Sequence, residues 1–220
     1  MLRLFGLCLL GFSIAGCSSA PEVISYAVRP VSPGPNQALA VEQVIIVLDA
    51  SSSMGQADKF PMAKTLADML VNALPQGGYQ TGLIVFGGKD TQVHPLAPFD
   101  RIELATKIKN TFFLGGVSSF ESQIAGLRSM LENTSGKTAV YYFSDGRPIN
   151  ISNALQAFSR LSENSVAELC LHCVQIGFAS GAQPLLQELA KSSPCGSYRQ
   201  DRAIHNADEM QSFVRATMVL

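Results

Sequence analysis

Tryptophan is absent from this 220-residue chain, histidine occurs three times, and Lys, Arg, Asp and Glu together make up 15% of it. Soluble domains usually carry about a quarter charged residues. Here the net charge is −1, and neither a basic cluster nor a run of like charge occurs. Those absences exclude the electrostatic footprint of a nucleic-acid binder or of a protein that captures an acidic polymer. No apolar stretch is long enough to span a bilayer as a mature helix. No G-x-S-x-G elbow and no G-x-x-x-x-G-K-[ST] phosphate loop is present. His94, His172 and His205 are scattered, and His172 falls inside an apolar run, where a hydrogen-bonded structural histidine is expected. No feature suggests a small-molecule substrate, and the chain reads as a non-enzymatic protein.

What the chain does have begins with MLRLFGLCLLGFSIAGC: one arginine, a short apolar core, then small residues. This is the pattern of an export signal, assigned to residues 1–16. Its end, Ile14-Ala15-Gly16-Cys17, resembles the lipobox of bacterial lipoproteins, in which cleavage precedes a cysteine that is then acylated. The resemblance implies lipidation at Cys17 (palmitate among the acyl groups) and a membrane anchor through that lipid. Ser18 follows, not the aspartate associated with inner-membrane retention, so a cell-envelope location at the outer membrane is expected. Residues 17–42 are rich in Pro and Ser without a sustained period and read as the lipidated N-terminus and a flexible tether.

Removal of the signal takes Cys8, and Cys17 carries lipid, which leaves Cys170, Cys173 and Cys195. In an oxidising compartment two of them can pair. Cys195 precedes a short stretch, GSYRQ, that returns to the sheet as a last strand. Cys170 stands at the entrance of the neighbouring run, so a Cys170–Cys195 disulfide is expected, with Cys173 a free thiol in the core. The C-x-x-C spacing of Cys170 and Cys173 lies within a strand-like run without a helix start or a second ligand pair, which disfavours redox or zinc use.

From Gln43 to Leu220 the chain alternates between two kinds of segment. VIIVLD, GLIVFG, TAVYYFSDG and CLHCVQIGF are short, nearly continuous apolar runs, as expected for parallel strands buried on both faces. Between them, Met62, Leu66, Met69, Leu70 and Ala73 share a helical face, as do Ile124, Leu127 and Leu131, and Met210, Phe213, Val214 and Thr217. Asp58 is placed to cap the first of these helices, which has Pro61 in its opening turn and Pro75 with Gly77-Gly78 at its end. The order implies a doubly wound α/β domain over residues 43–220, with helices on both faces of a mostly parallel sheet. A short antiparallel edge strand is expected around Thr91 to Val93.

In such a sheet, ligands gather at the carboxyl ends of the strands, where strand order reverses. Asp49 ends the first run in VIIVLDASSSMG, and Asp145 ends a later one in Ser144-Asp145-Gly146. Ser51 and Ser53 can present hydroxyls from one side of the turn after Asp49. Gly115 and Gly116 allow a tight approach before Ser118 and Ser119. Carboxylates with neutral hydroxyls make a set of hard oxygen donors suited to Mg2+, with Mn2+ or Ca2+ in its place.

Here the sequence resembles the von Willebrand factor A (VWA) family, whose metal-ion-dependent adhesion site (MIDAS) reads Asp-x-Ser-x-Ser, then Thr, then Asp. Asp49, Ser51 and Ser53 match the first part and Asp145 the last. Ser118 takes the place usually held by threonine, keeping the hydroxyl but not the methyl that restricts its rotamer. The resemblance implies a divalent cation held by Asp49, Ser51, Ser53, Ser118 and Asp145. An exposed Asp or Glu of an envelope or extracellular partner protein would complete its coordination. Two alternatives stand beside this reading. One is a metal-independent envelope scaffold with a degenerate site. The other is a hydrolase or phosphatase, which lacks a catalytic group: the dehalogenase-type phosphatase wants an aspartate where Ser51 stands.

Overall fold

The computed structural model describes residues 27–88, 90–117, 120–132, 134–147, 151–165, 167–178 and 182–220. The expected export signal, Cys17, Ser118 and Ser119 therefore lie outside the described residues.

Among the described residues, six strands form one sheet: β1 (Gln43–Asp49), β2 (Gln80–Gly87), β3 (Asp90–Pro98), β4 (Lys137–Ser144), β5 (Glu168–Gln175) and β6 (Ser197–Gln200). Their order is β3-β2-β1-β4-β5-β6, and only β3 runs antiparallel to its neighbour. Six α-helices accompany it among the described residues: α1 (Lys59–Ala73), α2 (Arg101–Asn110), α3 (Phe120–Leu131), α4 (Ile151–Asn164), α5 (Ala182–Lys191) and α6 (Ala207–Met218). This is the doubly wound α/β arrangement that the alternation of apolar runs and amphipathic stretches implied.

The side-chain period of a strand explains why the runs are so uniformly apolar. Val44, Ile46 and Leu48 of β1 face a core shared with Leu66 and Leu70 of α1, Ile108 of α2 and Phe213 of α6. Ile45 and Val47 face the other core, with Ile124 of α3, Phe158 of α4 and Leu186 of α5. Every residue of β1 is buried, so neither face leaves room for the polar half of an alternating pattern. Burial of this kind stabilises by about 25 cal/mol per Å2 of apolar surface removed from water.

Four details depart from the sequence reading. The edge strand β3 is longer than Thr91 to Val93, reaching Pro98. It tolerates Pro95 because it pairs on one side only, and the register shifts opposite Gly82, where the ladder is already interrupted. Asp58 precedes α1 but does not cap it with its side chain. Its φ of 55° is left-handed, whereas a capping side chain requires extended backbone. Met62 is exposed and does not share the buried face of Leu66 and Leu70. Finally, part of the expected tether is packed. Val31 and Val41 are buried, the Val31 N–H donates to Ala73 O at 2.8 Å, and Leu39 forms a bridge with Val219.

At the far side of the sheet, β6 pairs in parallel with β5. Cys170 and Cys195 are joined by a disulfide with Cα atoms 4.8 Å apart, while Cys173 is a buried free thiol. Burial raises the Cys173 thiol well above its ordinary range. His172 packs against Tyr141 and Phe213, which also touch each other, and its Nδ1 lies 3.0 Å from Ser197 Oγ. Among the described residues no helix is long and apolar enough to cross a membrane.

Candidate metal-binding crevice

The order of strands reverses at β1, which has β2 on one side and β4 on the other. Connections leave these strands toward opposite edges, and the carboxyl ends at such a reversal are where a sheet of this kind presents its ligand crevice. Asp49 is the last residue of β1, and Asp145 directly follows β4. Leu48 pairs with Phe143, which brings Asp49 alongside Ser144.

Both carboxylates are buried, Asp49 at 1% exposure and Asp145 at 0%. Asp49 Oδ1 accepts the Ser51 N–H at 2.9 Å, and its Oδ2 accepts the Ser144 hydroxyl at 2.6 Å. Ser144 Oγ in turn accepts the Gly146 N–H at 3.0 Å, which fixes the direction of its own proton toward Asp49. Burial pushes the Asp49 carboxyl up to about 6. The hydrogen bonds from Ser144 and Ser51 oppose that rise, and the nearby charge of Asp145 adds to it. Asp49 is thus a carboxylate whose anionic form is costly without a positive neighbour.

Asp145 is differently served. Its Oδ1 accepts the Ser53 hydroxyl at 3.0 Å and the Arg147 N–H at 3.3 Å. Its Oδ2 accepts from Lys59 Nζ at 2.8 Å, and the half-exposed Arg147 guanidinium lies 3.8 Å from the same oxygen. Ser51 and Ser53 hydroxyls stand 3.4 Å apart, and through the Ser53–Asp145 hydrogen bond the loops after β1 and β4 present one continuous patch of oxygen.

The third loop is held against the first. Gly115 N–H donates to Ala50 O and Ser52 N–H to Gly116 O, each at 2.8 Å. Gly116 has φ 71°, and a Cβ there would stand 2.4 Å from Gly88 Cα, so only glycine allows this approach. The sequence-derived set is therefore brought together for Asp49, Ser51, Ser53 and Asp145. Ser118 lies outside the described residues, although the loop leading to it is pinned beside the site.

Two residues were missed by sequence reasoning. Ser144 belongs to the Ser-Asp-Gly triplet and was assigned no role, yet it orients Asp49. Lys59 has no visible signal in the sequence, because a lysine opening a helix normally reads as solvated. Here it is buried, and it reaches the crevice from the turn formed by Ala57 and Asp58, both at positive φ.

The von Willebrand factor type A domain family matches the chain over residues 44–147, a span that contains Asp49 and Asp145. Among solved structures, an aerotolerance-related membrane protein from Bacteroides fragilis superposes with a TM-score of 0.58 at 20% identity, covering 80% of this chain and 96% of that one. The chain has a von Willebrand factor type A fold. Manganese-loaded TRAP from Plasmodium vivax shares it, with a TM-score of 0.63 and 16% identity over 84% of this chain and 76% of TRAP. So does the VWA domain of SpRpn10, with a TM-score of 0.55 and 17% identity over 80% of this chain and 94% of that one. No curated protein matches the sequence.

The VWA crevice of this chain fits a hard divalent cation in its donor chemistry. The converging donors are all oxygen, two of them buried carboxylates and two neutral hydroxyls, and both cations at hand, Lys59 and the half-exposed Arg147, stand at Asp145 and leave Asp49 without a positive partner of its own. A different cluster, Glu168, Cys170 and Cys195, also gathers ligand atoms within 4.8 Å of one another, but the disulfide consumes both of its sulfurs.

Proposed function

We propose that this VWA domain is a lipid-anchored module of the bacterial cell envelope that binds an acidic residue of a partner protein through a divalent cation. The observation that carries the reading is the convergence of Asp49, Ser51, Ser53 and Asp145 at the point where strand order reverses. Ser51, Ser53 and Ser118 would hold the ion directly, and the two aspartates would hold it largely through water. Mg2+ is favoured, with Mn2+ or Ca2+ as substitutes. When bound, the cation supplies an open coordination position for a carboxylate. The chain's own part is to aim the donors. Ser144 fixes Asp49, the Asp49–Ser51 hydrogen bond sets the turn, and Ser53 links that turn to the loop after β4.

The partner is then an envelope or extracellular protein that presents an exposed Asp or Glu. Lipid on Cys17 would hold the domain to the outer membrane, and the manganese-loaded relative supports use of a metal within this fold. The name of the Bacteroides neighbour, a membrane protein, is in keeping with an envelope setting. One observation favours the second reading, a metal-independent scaffold: the ion pair between Lys59 and Asp145 already places a positive charge in the crevice.

A pull-down from envelope extract separates the two readings. Metal-bridged capture is expected to vanish in chelator and in the Asp145→Ala variant. Capture that survives both supports the scaffold instead.

A further inference from the structure

Lys59 opens α1, yet its side chain is 8% exposed. An ammonium is not carried out of water without compensation, because the desolvation penalty is recovered only by close pairing and hydrogen bonding. The compensation is specific. Nζ lies 2.8 Å from Asp145 Oδ2 and 3.3 Å from Ser53 O, so the charge contacts two loops of the proposed metal crevice.

Two further features hold the lysine there. Gly177, in the loop after β5, has φ 68°, and a Cβ on it would stand 3.2 Å from Lys59 Cε and within 3.6 Å of Cγ and Cδ. That glycine leaves space for the lysine stem. On the other side, Ala57 and Asp58 both adopt left-handed backbone, at φ 50° and 55°, immediately before Lys59. Such conformations in non-glycine residues cost energy and persist where surrounding contacts enforce them. The turn that delivers Lys59 is thus strained, and the stem has a fitted channel.

We propose that Lys59 is a tethered cation that competes with the divalent ion for the Asp145 side of the crevice, so that the lysine-paired and metal-bound states exclude each other. This rests on the metal reading of the site given above. With the ammonium in place, Asp145 is neutralised and one of its oxygens is engaged. A divalent ion a few ångströms away would meet a like charge in a poorly solvated setting. Metal loading therefore requires Lys59 to leave Asp145. The metal-free domain is held together by the lysine, and the crevice acquires its open coordination position only after the exchange. The device sets a threshold of metal concentration below which the domain would not engage a carboxylate.

The test is a Mn2+ titration, followed by the electron paramagnetic resonance signal of free Mn2+, on the parent, Lys59→Met and Lys59→Gln. Thermal melts in chelator and in Mn2+ accompany it. The glutamine variant keeps a donor toward Asp145 and guards against a folding defect in the methionine variant. Both variants are expected to bind Mn2+ at least tenfold more tightly than the parent. Both should melt below the parent in chelator and gain more than it does from Mn2+. Equal affinity in parent and variants, with Asp49→Ala abolishing binding, overturns the competition and leaves the metal site standing. Weaker binding in both variants also overturns it. Absence of Mn2+ binding in all three proteins at millimolar concentration removes the metal reading and the competition together.

Discussion

The two central strands are closed by buried polar groups at both ends, and the two closures differ in kind. At the amino ends, the Thr138 hydroxyl donates to Gln43 Oε1 at 2.8 Å, with exposures of 0% and 7%. Both groups are neutral and each serves the other, which is the inexpensive way to bury polarity. At the carboxyl ends of the same strands stand Asp49 and Asp145, almost equally buried, with the Lys59 ammonium and three serine hydroxyls around them. Ionised groups cost far more to bury than an amide and a hydroxyl. The fold needs only a polar seal, as the amino end demonstrates. The carboxyl end carries more charge than a polar seal requires.

The largest effect that bears on this contrast comes from breaking the charged end. Asp145→Ala leaves the Lys59 ammonium buried and unpaired, and removal of one partner from a buried pair typically costs about 3–5 kcal/mol. Urea denaturation in chelator should register that loss, and adding Lys59→Met to Asp145→Ala should recover most of it. A loss below about 1 kcal/mol would mean that the pair is effectively solvated, on the scale of exposed pairs.

His172 offers a third solution to buried polarity, a titratable group kept neutral. Burial, with a smaller contribution from Arg199, pushes its pKa down to about 4. The folded-state value lies below the unfolded one, so the neutral histidine's contribution is complete above about pH 6.5 and is lost as pH falls toward 4. The difference amounts to about 3 kcal/mol. His172→Phe keeps a ring against Tyr141 and Phe213. Its stability relative to the parent is expected to improve by about that amount between pH 7 and pH 4, measured by denaturation at each pH. A relative stability independent of pH would show that His172 titrates in the fold as it does in the unfolded chain.

The smallest effect belongs to the neutral end. Thr138→Val removes one hydrogen bond from Gln43 and should cost about 1 kcal/mol. It should leave Mn2+ affinity unaltered, because the crevice lies at the opposite end of both strands. A large change in affinity would couple the two ends and undo the separation drawn between them.

The same contrast explains what could be read from the sequence. β1, β4 and β5 are buried on both faces, so their apolar runs are uninterrupted and the doubly wound order follows directly. That Asp49, Ser51, Ser53 and Asp145 converge was legible because strand ends are where such a sheet presents ligands. α2 carries a weak signal, since only Leu104 and Ile108 of its ten residues are buried, although Asp100 accepts the Glu103 N–H as a helix cap. Lys59 was hidden for a different reason. Asp58 reads as an ordinary cap, and nothing in the letters indicates that Ala57 and Asp58 turn left-handed and send the next side chain inward. Pairing across the crevice is a property of three loops together, and no local pattern encodes it.

The central claim is that the carboxyl end of β1 and β4 is charged in order to hold a cation. Calorimetric titration of Mg2+ and Mn2+ into the metal-free protein, beside its Asp49→Ala variant, tests it most directly. The account predicts one site per chain in the parent. It also predicts loss of that site in the variant, with an unchanged far-ultraviolet circular dichroism spectrum. Equal binding by the two proteins, or no binding by either, would contradict it.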